Sequence, residues 1–513
     1  MKSMIYRLSI LFLFFVSSTS WGNSCLPPAK QNSCSAAKSS GFENLENISA
    51  VTQKVRLENQ TADMSISHPV SDVITNKSEV VHLQDSASAQ TPVINIDPSI
   101  KHQKMWGFGA AITDACVANM DRLSPEQRKD LMEKMFDPKK GAGLNILRLP
   151  IGSNDFAMSD YSLDDTPGNK PDPQLKNFNA EHLQSLIKFA NEAKKYNPKL
   201  EVMMTPWSPP AWMKDTKSLD GGELQKKYFG AYADYLVKSI QALQAHGVSV
   251  KRMTILNEPL IWDAHEKWSY AQSFMDEKDQ INFTENFLVP RLEKISNPPQ
   301  ILLHDHNWGN GKLTLEMTKN QKLNPLISGV AYHCYGGDIS NLKSSLKLQN
   351  HSLGSINTEC SSTQTDDNNS GTFQWWMETQ SVDAIRAGTS GALGWNLCLD
   401  EKGGPHVDAG CKNCRGLATI TSGQNPQVQM NAEFYALAQT SHSVQPGAYR
   451  IESSDPQVDG IQNVAFENPD GSKVVVIRNS SDHPQTVSTQ MSGCDMGSTT
   501  IPAGGAVTLK WQN

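Results

Sequence analysis

The sequence predicts an α/β fold, a (β/α)8 barrel with an appended all-β sandwich formed mainly from the C-terminal segment. Three observations carry this expectation. Eight β-rich runs recur through the middle of the chain, amphipathic helical patterns lie between them, and near the C-terminus the texture changes to short strands and turns. At 513 residues the chain is also longer than one hydrophobic core usually supports, so a large domain with a smaller companion is expected.

Residues 1–22 read as a secretory signal peptide. Lys2 and Arg7 precede the apolar run Leu8 to Val16, and Ser17, Ser18 and Ser20 follow. Export to the periplasm or the medium is therefore expected. Residues 23–95 form a polar, loose segment expected to lend strands to the β-domain. The catalytic barrel is assigned to 96–442 and the C-terminal sandwich to 443–513. No later run reaches the ~18 apolar residues of a membrane span, so no transmembrane segment is expected in the mature chain.

The barrel strands are expected at Trp106 to Ile112, Asn145 to Leu149, Glu201 to Thr205, Arg252 to Leu256, Ile301 to His304, Gly329 to His333, Ser355 to Thr358 and Gly391 to Trp395. Between the first two, Ser124-Pro125-Glu126-Gln127 supplies an N-cap, a proline at the first helical position and a capping partner. Leu131, Met132, Met135 and Phe136 then share one face. After Asn179, Leu183, Leu186, Ile187 and Ala190 keep helical spacing until Asn197-Pro198 stops it. The stretches 155–178 and 205–222, rich in Pro, Gly and Asp, follow strands and belong on the active face. Beyond a helix near Met430 to Ser441, short strands are expected at Val464 to Phe466, Lys473 to Arg478, Thr486 to Ser488 and Ala506 to Trp511.

The net charge of −7 becomes about −9 once the signal is removed, and no basic stripe exists to replace phosphate counterions. Nucleic acid is not an expected partner. No phosphate-binding glycine loop or dinucleotide fingerprint appears, so no cofactor is expected. His304-Asp305-His306-Asn307 looks like a metal motif, but strand alternation sends neighbouring side chains to opposite faces, so no metal is assigned. Asp305 and Asn307 suit a sugar site or its surroundings better. Nine cysteines leave at least one thiol over. Cys25 and Cys34 are a plausible disulfide, and Cys411-Lys412-Asn413-Cys414 suits a small disulfide loop in an oxidising compartment better than a zinc half-site.

Two segments carry the chemistry. Leu256-Asn257-Glu258-Pro259 and Asn357-Thr358-Glu359-Cys360 each place a glutamate where a strand gives way to a loop, at the C-terminal end of a parallel strand. An isolated Asn-Glu-Pro is commonly a solvated loop, so the case rests on the pair and its setting. Two carboxylates facing each other are the equipment for glycosidic bond cleavage, one protonating the leaving oxygen and one attacking or activating water.

With these motifs the chain resembles glycoside hydrolase family 30, which contains glucosylceramidase and microbial β-glucanases. The matching segments are 107–114 (GFGAAITD), Leu147-Arg148-Leu149-Pro150 with Asp155-Phe156, 205–214 (TPWSPPAWMK), Asn257-Glu258-Pro259, His333-Cys334-Tyr335, Thr358-Glu359, and Trp395-Asn396 with Gly403-Gly404-Pro405. The resemblance implies a barrel with a sandwich built from both chain ends, retained stereochemistry, Glu258 as acid/base and Glu359 as nucleophile. Glu258 should then be protonated near neutral pH and Glu359 ionised.

Around this pair, Asn257 is placed to bond the sugar 2-OH, Tyr335 to orient the nucleophile, and Arg148 to keep Glu359 charged, with His333 in support. Trp207, Trp395 and, less well placed, Trp212 offer faces for a pyranose, and Asp114 offers acceptors at the far end of the pocket. The expected substrate is a β-glucoside. Leu219, Leu260, Ile261 and Trp262 form an apolar set that favours glucosylceramide, with peripheral lipid contact, over β-1,6-glucan, whereas the Cys334, Cys360 and Cys411–Arg415 features favour the glucan. A barrel that binds carbohydrate without cutting it is the alternative from another class.

Overall fold

The computed structural model describes residues 53–57, 60–70, 73–78 and 91–512, apart from short breaks at 261–269, 311–324, 341, 343–352, 364–368, 409 and 492–493. The proposed signal, Cys25 and Cys34, and Ile261 and Trp262 lie outside the described residues.

Eight parallel strands close into a barrel. In chain order they are Gly107–Ala111, Ile146–Ile151, Glu201–Pro206, Val250–Thr254, Gln300–Asn307, Ile327–His333, Gly354–Glu359 and Gly391–Gly394. The approach of the first strand to the eighth and to the second depends on small residues. A Cβ on Gly391 would lie 1.9 Å from the Gly107 carbonyl oxygen, and one on Gly109 would lie 1.8 Å from that of Ile146.

Alternation along each strand sorts the side chains. In the second strand Leu147, Leu149 and Ile151 face outward into the large cluster under the helices, while Ile146 faces inward. Each such fully buried aliphatic side chain contributes about 1.5–3 kcal/mol of burial. The outer helices fit their sequence signals. Pro125–Phe136 starts with a complete capping box between Ser124 and Gln127, and buries Leu131, Met132, Met135 and Phe136. Gln184–Tyr196 buries Leu186, Ile187 and Ala190 and ends at Asn197.

The second domain is one ten-stranded sheet around its own apolar core, which includes Ile94, Ile451, Val475, Val487 and Leu509. Its strands run, neighbour to neighbour, Gln53–Leu57, Gln60–Val70, Ala506–Trp511, Lys473–Asn479, Ile461–Glu467, Tyr449–Ser453, Val93–Lys104, Gln485–Met491 and Cys494–Ile501, with Val73–Ser78 paired to Gln60–Val70. Both chain ends therefore build it. Strand Val93–Lys104 pairs with Tyr449–Ser453 and Gln485–Met491, so it belongs wholly to this sheet although the sequence reading put residues from 96 onward in the barrel. Polar contacts fix the two domains together: Ser67 Oγ donates to Gln439 Oε1 at 2.6 Å, and Arg478 Nε to Asp383 at 2.8 Å.

Among the described residues there are three disulfides, Cys116–Cys398, Cys334–Cys360 and Cys411–Cys414. The last closes the expected small loop. The first two join cysteines that only the barrel brings together. No helix of the described residues is long and apolar enough to cross a membrane.

Candidate active site

At the C-terminal end of the barrel an apolar floor gives way to a charged layer. Ile146, Met203, Leu302, Ala331, Ile356 and Leu393 fill the interior, one from each of six strands. Two residues further along these strands stand Arg148, Thr205, His333, Thr358 and, just past the eighth strand, Trp395. The period of two puts them on the same inner side.

The fifth strand breaks this rule, and the break makes the site. His304 and Asp305 both have left-handed backbones (φ 77° and 51°), and the pairing with the sixth strand skips Asp305. This bulge turns the Asp305 carboxylate inward. Its oxygens accept hydrogen bonds from Arg148 at 3.1 Å, Thr254 at 2.7 Å, Thr358 at 2.6 Å and His333 Nε2 at 3.1 Å. Burial raises its pKa, but Arg148 and these donors outweigh burial and hold it far below the usual carboxylate range. The neighbouring histidines turn to backbone groups. His304 Nε2 turns to the Asn307 carbonyl, and His306 Nδ1 accepts from the Asn307 amide at 2.8 Å.

Glu258 lies four residues beyond its strand, on a bend with φ 45°, where its amide donates to the Asp305 carbonyl at 3.0 Å. A left-handed glutamate is strained, and such strain is stored where the surrounding structure imposes it. Its Oε1 is 2.8 Å from His333 Nδ1. Glu359 ends the seventh strand. Its Oε2 accepts from Arg148, and its Oε1 accepts from the Tyr335 hydroxyl at 3.1 Å. One carboxylate oxygen each of Glu258 and Glu359 and one ring nitrogen of His333 lie within 4.8 Å of one another. Both ring nitrogens of His333 already face carboxylates, and Glu359, Asp305 and Glu258 together overcome burial to push its pKa up to about 10.

The pKa values of the two glutamates shift in opposite directions. Burial raises both. At Glu258 the His333 imidazolium reverses the sign and lowers the pKa, whereas Glu359 stays raised despite His333 and Arg148. His333 is the physical reason, because it presents its Nδ1 proton to Glu258 at hydrogen-bond distance.

The remaining assigned residues divide. Asn257 accepts from Arg148 through Oδ1 at 2.8 Å, so the guanidinium holds it beside the acid. Trp207 and Trp395 stack on each other (4.9 Å between centroids, 19° between planes), and Arg148 lies over both rings. Asn307 Oδ1 accepts from the Tyr335 amide at 3.0 Å and so fixes the Tyr335 loop. Two of them are held by protein groups. Trp212 is buried, with its indole N–H on Asp164, because its turn packs under the 155–164 loop. Asp114 receives the Tyr161 hydroxyl at 3.4 Å and the Met158 amide, at the start of the helix Asp114–Met120. The acid at the Trp395 edge is Asp155, whose Oδ2 accepts from the Trp395 indole at 3.3 Å. Burial, then the charge of Glu359, push its pKa up to about 8. Asp155-Phe156 was visible as a motif, but no sequence feature gave it a place next to Trp395.

The chain matches the glycosyl hydrolase family 30 TIM-barrel domain over residues 105–444 and the family's β-sandwich domain over 447–509. It is 31% identical to the endo-1,6-β-D-glucanase neg1 of Aspergillus fumigatus, covering 75% of this chain and 80% of that one. It is 32% identical to the putative glucosylceramidase 2 of Caenorhabditis elegans, covering 78% and 79%. A solved structure of an endo-β1,6-glucanase superposes with a TM-score of 0.79 at 26% identity, covering 88% of this chain and 99% of that one.

Proposed function

The chain belongs to glycosyl hydrolase family 30, and from that premise we propose that it is a secreted, retaining hydrolase of β-glucosidic bonds whose substrate is a β-1,6-linked glucan. Membership makes it a glycosidase and sets aside the carbohydrate-binding protein without chemistry. The observation that carries the mechanism is the Glu258–Glu359 pair, with carboxylate oxygens within 4.8 Å. A retaining site has its carboxyl groups ~5–5.5 Å apart, whereas an inverting one leaves room for a water between them.

In this reading Glu359, oriented by Tyr335 and Arg148, attacks the anomeric carbon while the bond to the leaving oxygen breaks. The proton shared by His333 Nδ1 and Glu258 Oε1 passes to that oxygen through Glu258. Water then attacks the glycosyl–Glu359 ester, giving its proton to Glu258 and restoring both residues. The stacked indoles of Trp207 and Trp395 supply an apolar wall for the sugar. Secretion is supported by the residues 1–22 pattern and by three disulfides, which persist in oxidising compartments.

The glucan is favoured over the glucosylceramide that the apolar residues alone suggested. The endo-1,6-β-glucanase relative and the solved endo-β1,6-glucanase each cover most of the chain. A glucosylceramide substrate is the second reading, favoured by the 32% identical nematode relative and by Leu219, which packs against the Trp207–Trp395 cluster. Incubating purified protein in parallel with linear β-1,6-glucan and with glucosylceramide in detergent separates them. A ladder of gluco-oligosaccharides is expected. Glucose released from the lipid with no glucan shortening overturns the choice.

A further inference from the structure

Lys214 ends the tryptophan-rich stretch after the third strand, and the mechanism gives its buried ammonium no task. Its side chain is fully buried. The Nζ donates to Ser208 Oγ at 3.0 Å, the Leu219 carbonyl at 2.6 Å and the Gln272 carbonyl at 2.5 Å, three neutral oxygens that use all its protons. Among the described residues no carboxylate comes within ion-pair distance. Burial pulls its pKa down to about 7, with Asp220 and Asp215 opposing from further away. A charge kept at that desolvation cost is weak evidence for stability, since an apolar residue of similar volume commonly serves as well.

What the ammonium does is tie two rim loops. Ser208 and Leu219 belong to the loop after the third strand, Gln272 to the loop after the fourth. The same loops pair through Gln272 N to the Leu219 carbonyl at 3.0 Å and Phe274 N to the Gly222 carbonyl at 2.9 Å. The Leu219 carbonyl thus receives both a backbone N–H and the ammonium. Beside this knot the Gln272 side chain bonds the Tyr270 hydroxyl, and the Tyr270 ring packs on the Trp207–Trp395 cluster. After burial, the charges of Glu258, Asp155 and Glu359 raise the Tyr270 pKa. Tyr270 also follows Glu258 on the same loop, and the acid stands on the leaving-group side of the bond it protonates.

We propose that Lys214 is a positioning residue for substrate specificity: by tying the two loops it holds Tyr270 where the leaving part of the substrate binds, and leaves bond breaking itself alone. This rests on the β-glucosidase reading above.

The test compares Lys214→Met, Lys214→Arg and Tyr270→Ala on an aryl β-glucoside and on a β-1,6-gluco-oligosaccharide. In Lys214→Met, KM for the oligosaccharide should rise ~10-fold while kcat for the aryl glucoside changes less than ~3-fold; Tyr270→Ala should raise KM for the oligosaccharide to a similar extent, and Lys214→Arg should restore part of the loss. Equal loss of kcat on both substrates, or unchanged KM on both, overturns the proposal. Hydrogen exchange of residues 270–275 in Lys214→Met reads the tie without any turnover, and protection equal to wild type also overturns it. If the wild type cuts neither substrate, the functional reading alone fails and exchange decides. Should Lys214→Met not fold, Lys214→Arg carries the exchange measurement and Tyr270→Ala the KM measurement.

Discussion

The floor of the barrel and the layer above it stand on one ring of strands, yet they obey different rules. Ile146, Met203, Leu302, Ala331, Ile356 and Leu393 form a dry floor with no polar group to satisfy. Above them Arg148, Asp305, His333, Glu258 and Glu359 are a buried charge network in which each group depends on its neighbours for a partner. The floor tolerates small changes at a graded cost in packing. In the layer above, removing one member strands the rest.

The largest expected effect sharpens this contrast. Glu359→Gln removes the nucleophile and should lower kcat for an aryl β-glucoside by on the order of 10⁴-fold or more. Glu258→Gln should cost ~10²–10⁴-fold, because acid assistance matters least for a good leaving group. A fluorinated glucoside should trap a glycosyl adduct on wild type, detectable by mass spectrometry, and none on Glu359→Gln. Near-normal turnover by Glu359→Gln would remove the assignment.

Much of this layer was legible in the sequence, and the exceptions have physical causes. Glu258 and Glu359 were readable because strand ends carry chemistry in a parallel barrel, and Arg148 because its parity along the second strand points inward. Asp305 was only half readable. Alternation pairs it with the wrong side, and the bulge that turns it inward is a property of two left-handed residues that no local pattern announces. The opposite pKa shifts of the pair were not legible, because nothing in the sequence places the two nitrogens of His333 between Glu258 and Asp305. Cys116–Cys398 and Cys334–Cys360 escaped because their partners are 282 and 26 residues apart in sequence and meet only on the folded barrel.

Arg148→Met and Ile356→Ala break the comparison from its two sides. Arg148 lies fully buried between Asp305 and Glu359, so its loss leaves two carboxylates without their cation and should destabilise by ~3–5 kcal/mol. Activity should fall with it, since Glu359 then titrates higher still. Ile356→Ala should cost ~2–5 kcal/mol by opening a cavity, but the pH profile of kcat/KM should keep its wild-type shape. Denaturant melts and pH–rate profiles on both variants check this. A shifted profile in Ile356→Ala would show that floor and charged layer are not separable.

The smallest expected effect lies at the edge of the charged layer and concerns pH. Asp155 has its folded pKa raised to about 8, by burial first and then by Glu359, against an ordinary value of 3.8. Between these values the folded chain holds a proton that the unfolded chain has released. The stability this contributes is therefore fully present below about pH 4 and is lost as pH rises through about 8. A single group of this kind changes stability by at most ~1.4 kcal/mol per pH unit. Asp155→Asn keeps an acceptor for the Trp395 indole but cannot titrate, so its melting temperature should fall less than that of wild type between pH 6 and pH 7. Parallel slopes would mean that Asp155 is ionised in the folded protein, and the line between neutral wall and charged network would then run outside Asp155.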